Sequence, residues 1–331
     1  MSSSNVSRAI WVTLIGVTAA TALAEDSLRE QASRLFGRVE SKAVTSAEAE
    51  LGRALFWDTR VSSDGKTSCA SCHAAKDWGA DSRRFSPDAR GKLTSRHSPT
   101  VFNSMPQTTL RWLGDRKTGA EQAEGSMTGS LGFESKQAAI ERLKELQYVT
   151  AFRKAYPTDA DPLTPVNYGK ALAAYQATLT TPAAFDRYLA GDDKALTAKQ
   201  KDGLRAFMTA GCAGCHSGAL LGGTTYQRFG IVKEYWAETG SDKQDVGRFA
   251  VTKKEEDKYV FRVPMLRNVA KTAPYFHDGS VASLDRAVRV MAAVQLGRSL
   301  EDKTVGDIVA FLESLTGDIP PHYAPPGETV K

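Results

Sequence analysis

Apolar positions along this chain repeat with a helical rather than a strand period nearly throughout. Leu51, Leu55 and Phe56 follow Thr45-x-x-Glu48, a capping-box signature that predicts a helix opening near residue 45. Ile140, Leu143, Leu146 or Val149, and Phe152 keep helical spacing along an amphipathic segment, and a further helix is predicted over 166–179, stopped by Thr181-Pro182. Thr197 and Gln200 open another, carrying Leu204, Phe207 and Met208. Near the end, Thr304 and Asp307 cap a helix bearing Ile308, Phe311, Leu312 and Leu315, which Gly317 closes ahead of Pro320-Pro321. Strand signals are few and short. The pattern predicts an all-α fold.

Two C-x-x-C-H pentapeptides, Cys69-Ala-Ser-Cys72-His73 and Cys212-Ala-Gly-Cys215-His216, use all four cysteines of the chain. That spacing fits covalent c-type haem attachment: two thiols a helical turn apart each form a thioether to a haem vinyl group, and the adjacent histidine meets the iron. Two disulfides would not need a histidine after each pair. A zinc site needs four converging ligands, whereas these pairs lie far apart in sequence, each with its own histidine. The motifs predict two covalently bound c-type haems.

The order helix, C-x-x-C-H, long loops, late helix occurs twice, so the halves read as a divergent repeat of two cytochrome c-like haem domains. The expected organisation is a signal peptide at 1–24, a first haem domain over 25–182 and a second over 183–320, with 181–196 as linker and 321–331 as a loose, proline-rich tail. Arg8, the apolar run Ile10 to Ala20 and the small-x-small Ala22-Leu23-Ala24 mark the leader, cleaved near Ala24. The mature form then has no membrane span, and its expected place is a bacterial periplasm. Loss of Arg8 takes the net charge from +5 to +4. This mild basicity shows no Lys/Arg run that would signal nucleic acid, but leaves room for a face that docks an acidic redox partner.

The chemistry turns on the second axial ligand. Two strong ligands favour electron transfer, while an open iron admits peroxide or oxygen. Beyond His73 and His216 only His97, His277 and His322 remain, and His322, in the proline-rich tail, reads as a surface residue. For the second haem the candidate thioethers are Met265, in Val263-Pro264-Met265-Leu266, and Met291, on a helix face with Leu284 and Val288. Spacing alone leans to Met265.

From about Leu51 to Gly317 the chain resembles the bacterial dihaem cytochrome c peroxidases. The resemblance rests on Gly52-Arg53-Ala54-Leu55-Phe56, Ser68-Cys69-Ala70-Ser71-Cys72-His73, Ser98-Pro99-Thr100-Val101-Phe102-Asn103, Phe185-Asp186-Arg187-Tyr188, Leu266-Arg267-Asn268-Val269, Thr272-Ala273-Pro274-Tyr275-Phe276-His277-Asp278-Gly279 and Ile308-Val309-Ala310-Phe311-Leu312. It implies Met291 rather than Met265 as the second haem's ligand, one helix beyond the His-Asp-Gly motif. The related maturation enzymes, which oxidise tryptophans of a partner protein, commonly have tyrosine there. A thioether favours ferrous iron, which makes the His216/Met291 haem the higher-potential, electron-accepting one.

At the first haem, many relatives place a distal histidine on a mobile loop. The corresponding stretch, Ser82 to Lys92, has none, and Ala89 stands near that place. The resemblance therefore implies an open or water-bound iron that acts without reductive loop release. His97 falls near the family's calcium-binding asparagine. Thr272 and Pro274 match the carbonyl ligands, but an imidazole is a poor donor for calcium, so this cofactor is doubtful.

Cleaving peroxide requires a proton shuttled between its two oxygens, which a carboxylate and an amide can manage. The resemblance assigns the amide to Gln122, and Trp112 to the bridge between the haems. The family's acid-bearing stretch is replaced by Thr128-Gly129-Ser130-Leu131-Gly132-Phe133, leaving Glu134 as the nearest candidate acid and Glu124 as the next. Glu134 also reads as an ordinary carboxylate at a helix N-terminus. Arg116 matches a family arginine that anchors a propionate or packs at the interface.

The expected function is a periplasmic peroxidase reducing hydrogen peroxide to water. Its electrons come from a small cytochrome c or cupredoxin, enter at the second haem and pass Trp112 to the first. Family members are often homodimers, although no interface is legible here. The competing readings are an oxidase that modifies residues of a partner protein and a plain dihaem electron carrier.

Overall fold

A computed structural model of the chain describes residues 28–330, so the predicted leader lies outside the described residues. The fold is helix-rich, and its only named sheet among those residues is one short antiparallel pair, Tyr226–Arg228 against Val260–Arg262, an addition to the all-α expectation. No described helix is long and apolar enough to cross a membrane.

Two helix crossings organise the molecule. Ala47–Trp57 lies against Pro165–Gln176 at Gly52, where an added Cβ would stand 1.9 Å from the Ala171 carbonyl oxygen and 2.9 Å from Tyr175 Cβ. Ala198–Ala210 lies against Asp302–Glu313 at Gly203, where an added Cβ would stand 1.8 Å from the Asp307 carbonyl oxygen and 2.9 Å from Phe311 Cβ. Only glycine lets either pair of backbones approach so closely. In each helix an aromatic residue, Phe56 or Phe207, follows the glycine by one turn and is buried.

Each crossing carries its own apolar cluster, but membership of the clusters does not follow the halves of the sequence. Leu28, Ala32 and Phe36 pack into the cluster around Phe207 and Phe311. Tyr323 packs into the cluster around Phe56 and Phe102, with its ring centroid 4.6 Å from that of Phe102. The tail expected to be loose is thus docked. Tyr323 is fully buried, Arg53 donates to the carbonyls of Ala324 (2.8 Å) and Pro325 (3.0 Å), and the His322 ring meets Thr178 Oγ1 at 3.0 Å.

The expected linker is also part of the core. Ala184–Leu189 is a helix with Phe185 and Tyr188 fully buried, and Asp186 receives a two-pronged hydrogen bond from buried Arg267 (2.5 and 2.9 Å). A shared polar junction sits beside it. Thr181 Oγ1 accepts from Asn103 Nδ2 (2.7 Å) and Asn268 Nδ2 (2.9 Å), and Asn268 Oδ1 accepts from Gly317 N (3.1 Å). Both asparagines adopt left-handed backbone, φ +55° and +61°, a region that asparagine tolerates better than most residues.

Helix ends differ from expectation in detail. Ser46, not Thr45, caps the first crossing helix, accepting from Ala49 N at 3.1 Å. The amphipathic segment is two helices, Lys136–Glu145 and Val149–Ala155, parted by Gln147 at φ +63°. The last helix opens two residues before Thr304, at Asp302 after extended Glu301. The Thr197/Gln200 box forms as read.

Candidate active site

Both C-x-x-C-H segments fold the same way. Cys69–Ser71 and Cys212–Gly214 are single 3₁₀ turns. The amides of Cys72 and His73 donate to the Cys69 carbonyl (3.2 and 3.1 Å), and those of Cys215 and His216 to the Cys212 carbonyl (3.2 and 3.0 Å). Each imidazole then sets its Nδ1 against a downstream carbonyl, Gly79 at 2.8 Å for His73 and Leu221 at 3.1 Å for His216. Both acceptor residues are left-handed, at φ +69° and +51°, which turns the carbonyl back toward the ring. A carbonyl at Nδ1 selects the Nδ1–H tautomer and leaves Nε2 free to bind a metal. Burial holds both imidazoles below their ordinary pKa, in the neutral form that a metal ligand needs.

The four cysteines form no disulfide. Burial pushes the Cys69 thiol up to about 12 and Cys212 to about 11, so both are protonated thiols at neutral pH. Among the described residues no three His, Cys, Asp or Glu side chains converge as a metal site. The two motifs therefore do not converge on one shared metal site.

Behind the second motif lies a largely apolar cavity. Cys212, Cys215 and His216 form part of its lining, together with Phe207, Leu284, Val288 and Leu312. Met265 and Met291 both line it, so the structure brings both candidate thioethers to His216's cavity. His97, Thr272 and Pro274 line it as well. His97 is buried, with its Nδ1 3.2 Å from the Arg83 carbonyl, and contributes an imidazole where calcium needs oxygen, so these residues fit calcium poorly.

Trp112 also lines this cavity. Its indole N–H donates to the His97 carbonyl at 2.8 Å, and its ring meets His277 edge-on at 6.3 Å. His277 is packed against Phe261 at 4.3 Å, and its Nε2 is buried without a hydrogen bond, 3.8 Å from Asp245 Oδ2.

On the first-motif side, Gln122 rides on Gly119–Ser126, which Thr118 caps by accepting from Glu121 N at 3.1 Å. Its Oε1 is buried without a hydrogen-bond partner, which fits a missing donor. The candidate acids are placed less favourably. Glu134 is exposed just before Ser135, the cap of Lys136–Glu145, and Glu124 is ion-paired with Lys136. Arg116 donates to the Asp115 carbonyl at 2.9 Å and lies beside Gly125 of the Gln122 helix.

The histidine-free loop and the acid-free stretch pack on each other. Ala89 N donates to Ser130 O at 2.9 Å, Arg90 reaches Thr128 O at 3.3 Å, and an added Cβ on Gly132 would stand 3.0 Å from Ala89 Cβ. The same loop brings the Pro87 carbonyl within 3.9 Å of Cys72 Sγ.

Sequence reasoning missed Arg262 and assigned no role to His277, and both line the second cavity. A charge inside the apolar run Val260-Phe261-Arg262-Val263-Pro264 was the available signal for the first.

A family model described as di-haem cytochrome c peroxidase matches residues 46–194. A cytochrome c551 peroxidase of Pseudomonas aeruginosa is 45% identical, with 91% of this chain and 90% of the relative covered. A cytochrome c peroxidase of Escherichia coli is 41% identical over 86% of this chain and 61% of its own length. Among solved structures, a MauG-like protein associated with microbial copper homeostasis superposes with a TM-score of 0.72 at 26% identity, covering 87% of this chain and 96% of that one.

Proposed function

The chain belongs to the dihaem cytochrome c peroxidase family and is a haem peroxidase; from that premise we propose that it reduces hydrogen peroxide in a bacterial periplasm, drawing electrons from a small cytochrome c or cupredoxin. The reading assigns covalent haems to Cys69/Cys72 and Cys212/Cys215, with His73 and His216 as their proximal ligands. The matched glycine crossings at Gly52 and Gly203, each beside a C-x-x-C-H turn, support two haem units descended from one repeat.

When bound, the haems supply the redox chemistry, taking up peroxide's oxidising equivalents and passing single electrons between the two sites. The residues of the chain divide that work. Met291 would supply a thioether to the second haem beside the His216 imidazole and so favour the reduced iron there, with the Met265 sulfur on the same cavity as the competing donor. Trp112 lines the second site's cavity with its N–H committed to the His97 carbonyl, which cannot take its proton. It therefore suits electron passage without proton loss. Each peroxide consumes two electrons and two protons and leaves as two waters.

The observation that carries the peroxidase assignment of the first site is the unpartnered Gln122 Oε1. A peroxide O–H can donate to it, which orients the substrate. With Glu124 held by Lys136 and Glu134 exposed, protons come from water rather than from a resident carboxylate. Ala89, in place of a histidine, leaves the loop nothing to release before turnover.

Turnover of peroxide by the purified dihaem protein, with a reduced small cytochrome c or cupredoxin, tests this reading. Rapid donor oxidation at two electrons per peroxide is expected, with no prior reductive activation. The absence of a placed acid, together with the likeness to a MauG-like protein, favours a second reading as an oxidase of a partner protein. A long-lived oxidised state with little donor turnover would establish that reading and overturn the first.

A further inference from the structure

Arg262 is the one charged residue of the sheet pair Tyr226–Arg228/Val260–Arg262 that is buried, at 3% exposure, and it lines the second cavity. Among the described residues no carboxylate pairs with it. Its Nε donates to the Arg111 carbonyl at 3.0 Å and its Nη1 to Gln107 Oε1, while Nη2 has no hydrogen-bond partner. The other strongly buried arginine, Arg267, shows the usual arrangement, with both Nη atoms on the Asp186 carboxylate. Leaving a buried cation without a counter-ion is costly, and proteins rarely tolerate it. Burial accordingly pulls the Arg262 guanidinium down to about 10, opposed only by the Tyr226 phenol and by no carboxylate.

A missing anion is therefore expected on the cavity side of Arg262. We propose that Arg262 is the counter-ion of a propionate of the second haem, and that this pair holds the haem's propionate edge toward Trp112. The inference rests on the reading that Cys212, Cys215 and His216 carry a haem. Any such haem brings two carboxylates into this cavity, and guanidinium matches carboxylate in geometry as well as charge. The strand fixes the direction: Arg262 N donates to the Trp112 carbonyl at 2.8 Å, so the residue that holds the propionate is hydrogen-bonded to the residue proposed to relay electrons. Gln107 orients the fork from the other side.

The test compares Arg262→Gln and Arg262→Lys in the holoprotein, by redox titration and by the propionate-bending band in resonance Raman spectra. Haem content at Cys212/Cys215 is measured first, because a second site without haem in the unsubstituted protein would sink the parent reading and not this one. With haem in place, loss of the cation leaves the propionate charge uncompensated and so favours the oxidised iron; Arg262→Gln therefore shifts the second haem to lower potential and moves the Raman band, while the first haem stays put. Arg262→Lys keeps the charge but loses the fork; it retains most of the potential and still moves the band. An unshifted potential in Arg262→Gln overturns the proposal. So does an equal drop in both variants, which would trace the effect to the Arg111 and Gln107 hydrogen bonds. Should Arg262→Gln not accumulate, Arg262→Lys decides alone, and a Raman band identical to that of the unsubstituted protein overturns it.

Discussion

The two C-x-x-C-H regions share their chemistry on the histidine side and differ in almost everything opposite it. Each has a 3₁₀ turn, a histidine amide bonded to the first cysteine's carbonyl, and an Nδ1 steadied by a left-handed residue downstream. Around the second lie two methionines, an aromatic cage on His277 and an unpaired arginine. The first has a loop without histidine, a stretch without acid, and Gln122 with a bare oxygen. The proximal half of a haem site is a local construction that a dozen residues can encode. What an iron held there then does is set by residues brought from elsewhere, and there the two regions differ.

The strongest way to break the comparison is at the helix crossings. Gly52→Ala and Gly203→Ala each force a methyl group onto a carbonyl oxygen less than 2 Å away, and overpacking of this kind costs about 3 kcal/mol. Denaturant unfolding followed separately at each haem should show G52A loosening the first site and G203A the second. If either substitution is tolerated, the crossings are not equivalent and the repeat is weaker than the backbone implies.

Next in size is Gln122→Leu. It removes the unpartnered amide without touching a haem ligand, and should lower donor-oxidation kcat/KM by about a hundredfold. Haem content and the second haem's potential should not move. A loss of under threefold would show that Gln122 does not orient the peroxide and remove the reason for calling the first site peroxidatic.

Met291→Ala against Met265→Ala sharpens the contrast from the other side. Both sulfurs reach the cavity, so geometry alone does not choose between them. The first variant should keep its haem, lower its potential by at least roughly 59 mV, a tenfold shift in the one-electron equilibrium constant with the donor, and slow donor oxidation. The second should leave both unchanged. The reverse result would transfer the ligand to the Pro-Met loop.

What was legible in the sequence follows the same division. The C-x-x-C-H turns and the Thr197/Gln200 cap are complete within a few residues, and both form as read. Tyr323 and the Phe185-Asp186-Arg187-Tyr188 helix were misjudged because composition described the chain near them and not what they would meet. A proline-rich tail reads as loose until Arg53 takes its carbonyls and Phe56 and Phe102 take its ring. The stretch after Thr181-Pro182 reads as a linker until Arg267, 81 residues away, grips Asp186. The distal side was legible only through resemblance, and where the residues depart from the family pattern the sequence offered no substitute. Arg262 left a purely local sign, a charge in an apolar run.

The smallest effect tests how finely local sequence can be trusted. Two hydroxyls, Thr45 and Ser46, compete to cap the first crossing helix, and the structure awards the cap to Ser46, whose oxygen accepts from Ala49 N at 3.1 Å. At the second helix Thr197 has no rival, and its box is reciprocal: Gln200 N donates to Thr197 Oγ1 at 3.3 Å while Thr197 N donates to Gln200 Oε1 at 2.9 Å. An N-cap hydroxyl contributes about 1 kcal/mol. Ser46→Ala and Thr197→Ala should therefore each lower the urea midpoint by that equivalent at unchanged slope, while Thr45→Ala and Glu48→Ala stay within a few tenths of a kcal/mol. Gln200→Ala should fall between, because it removes only the returning half of the box. If Thr45→Ala instead matched Ser46→Ala, the first helix would begin a residue earlier, its cap would follow the same T-x-x-E/Q rule as the second, and the two crossings would be closer copies than the backbone shows.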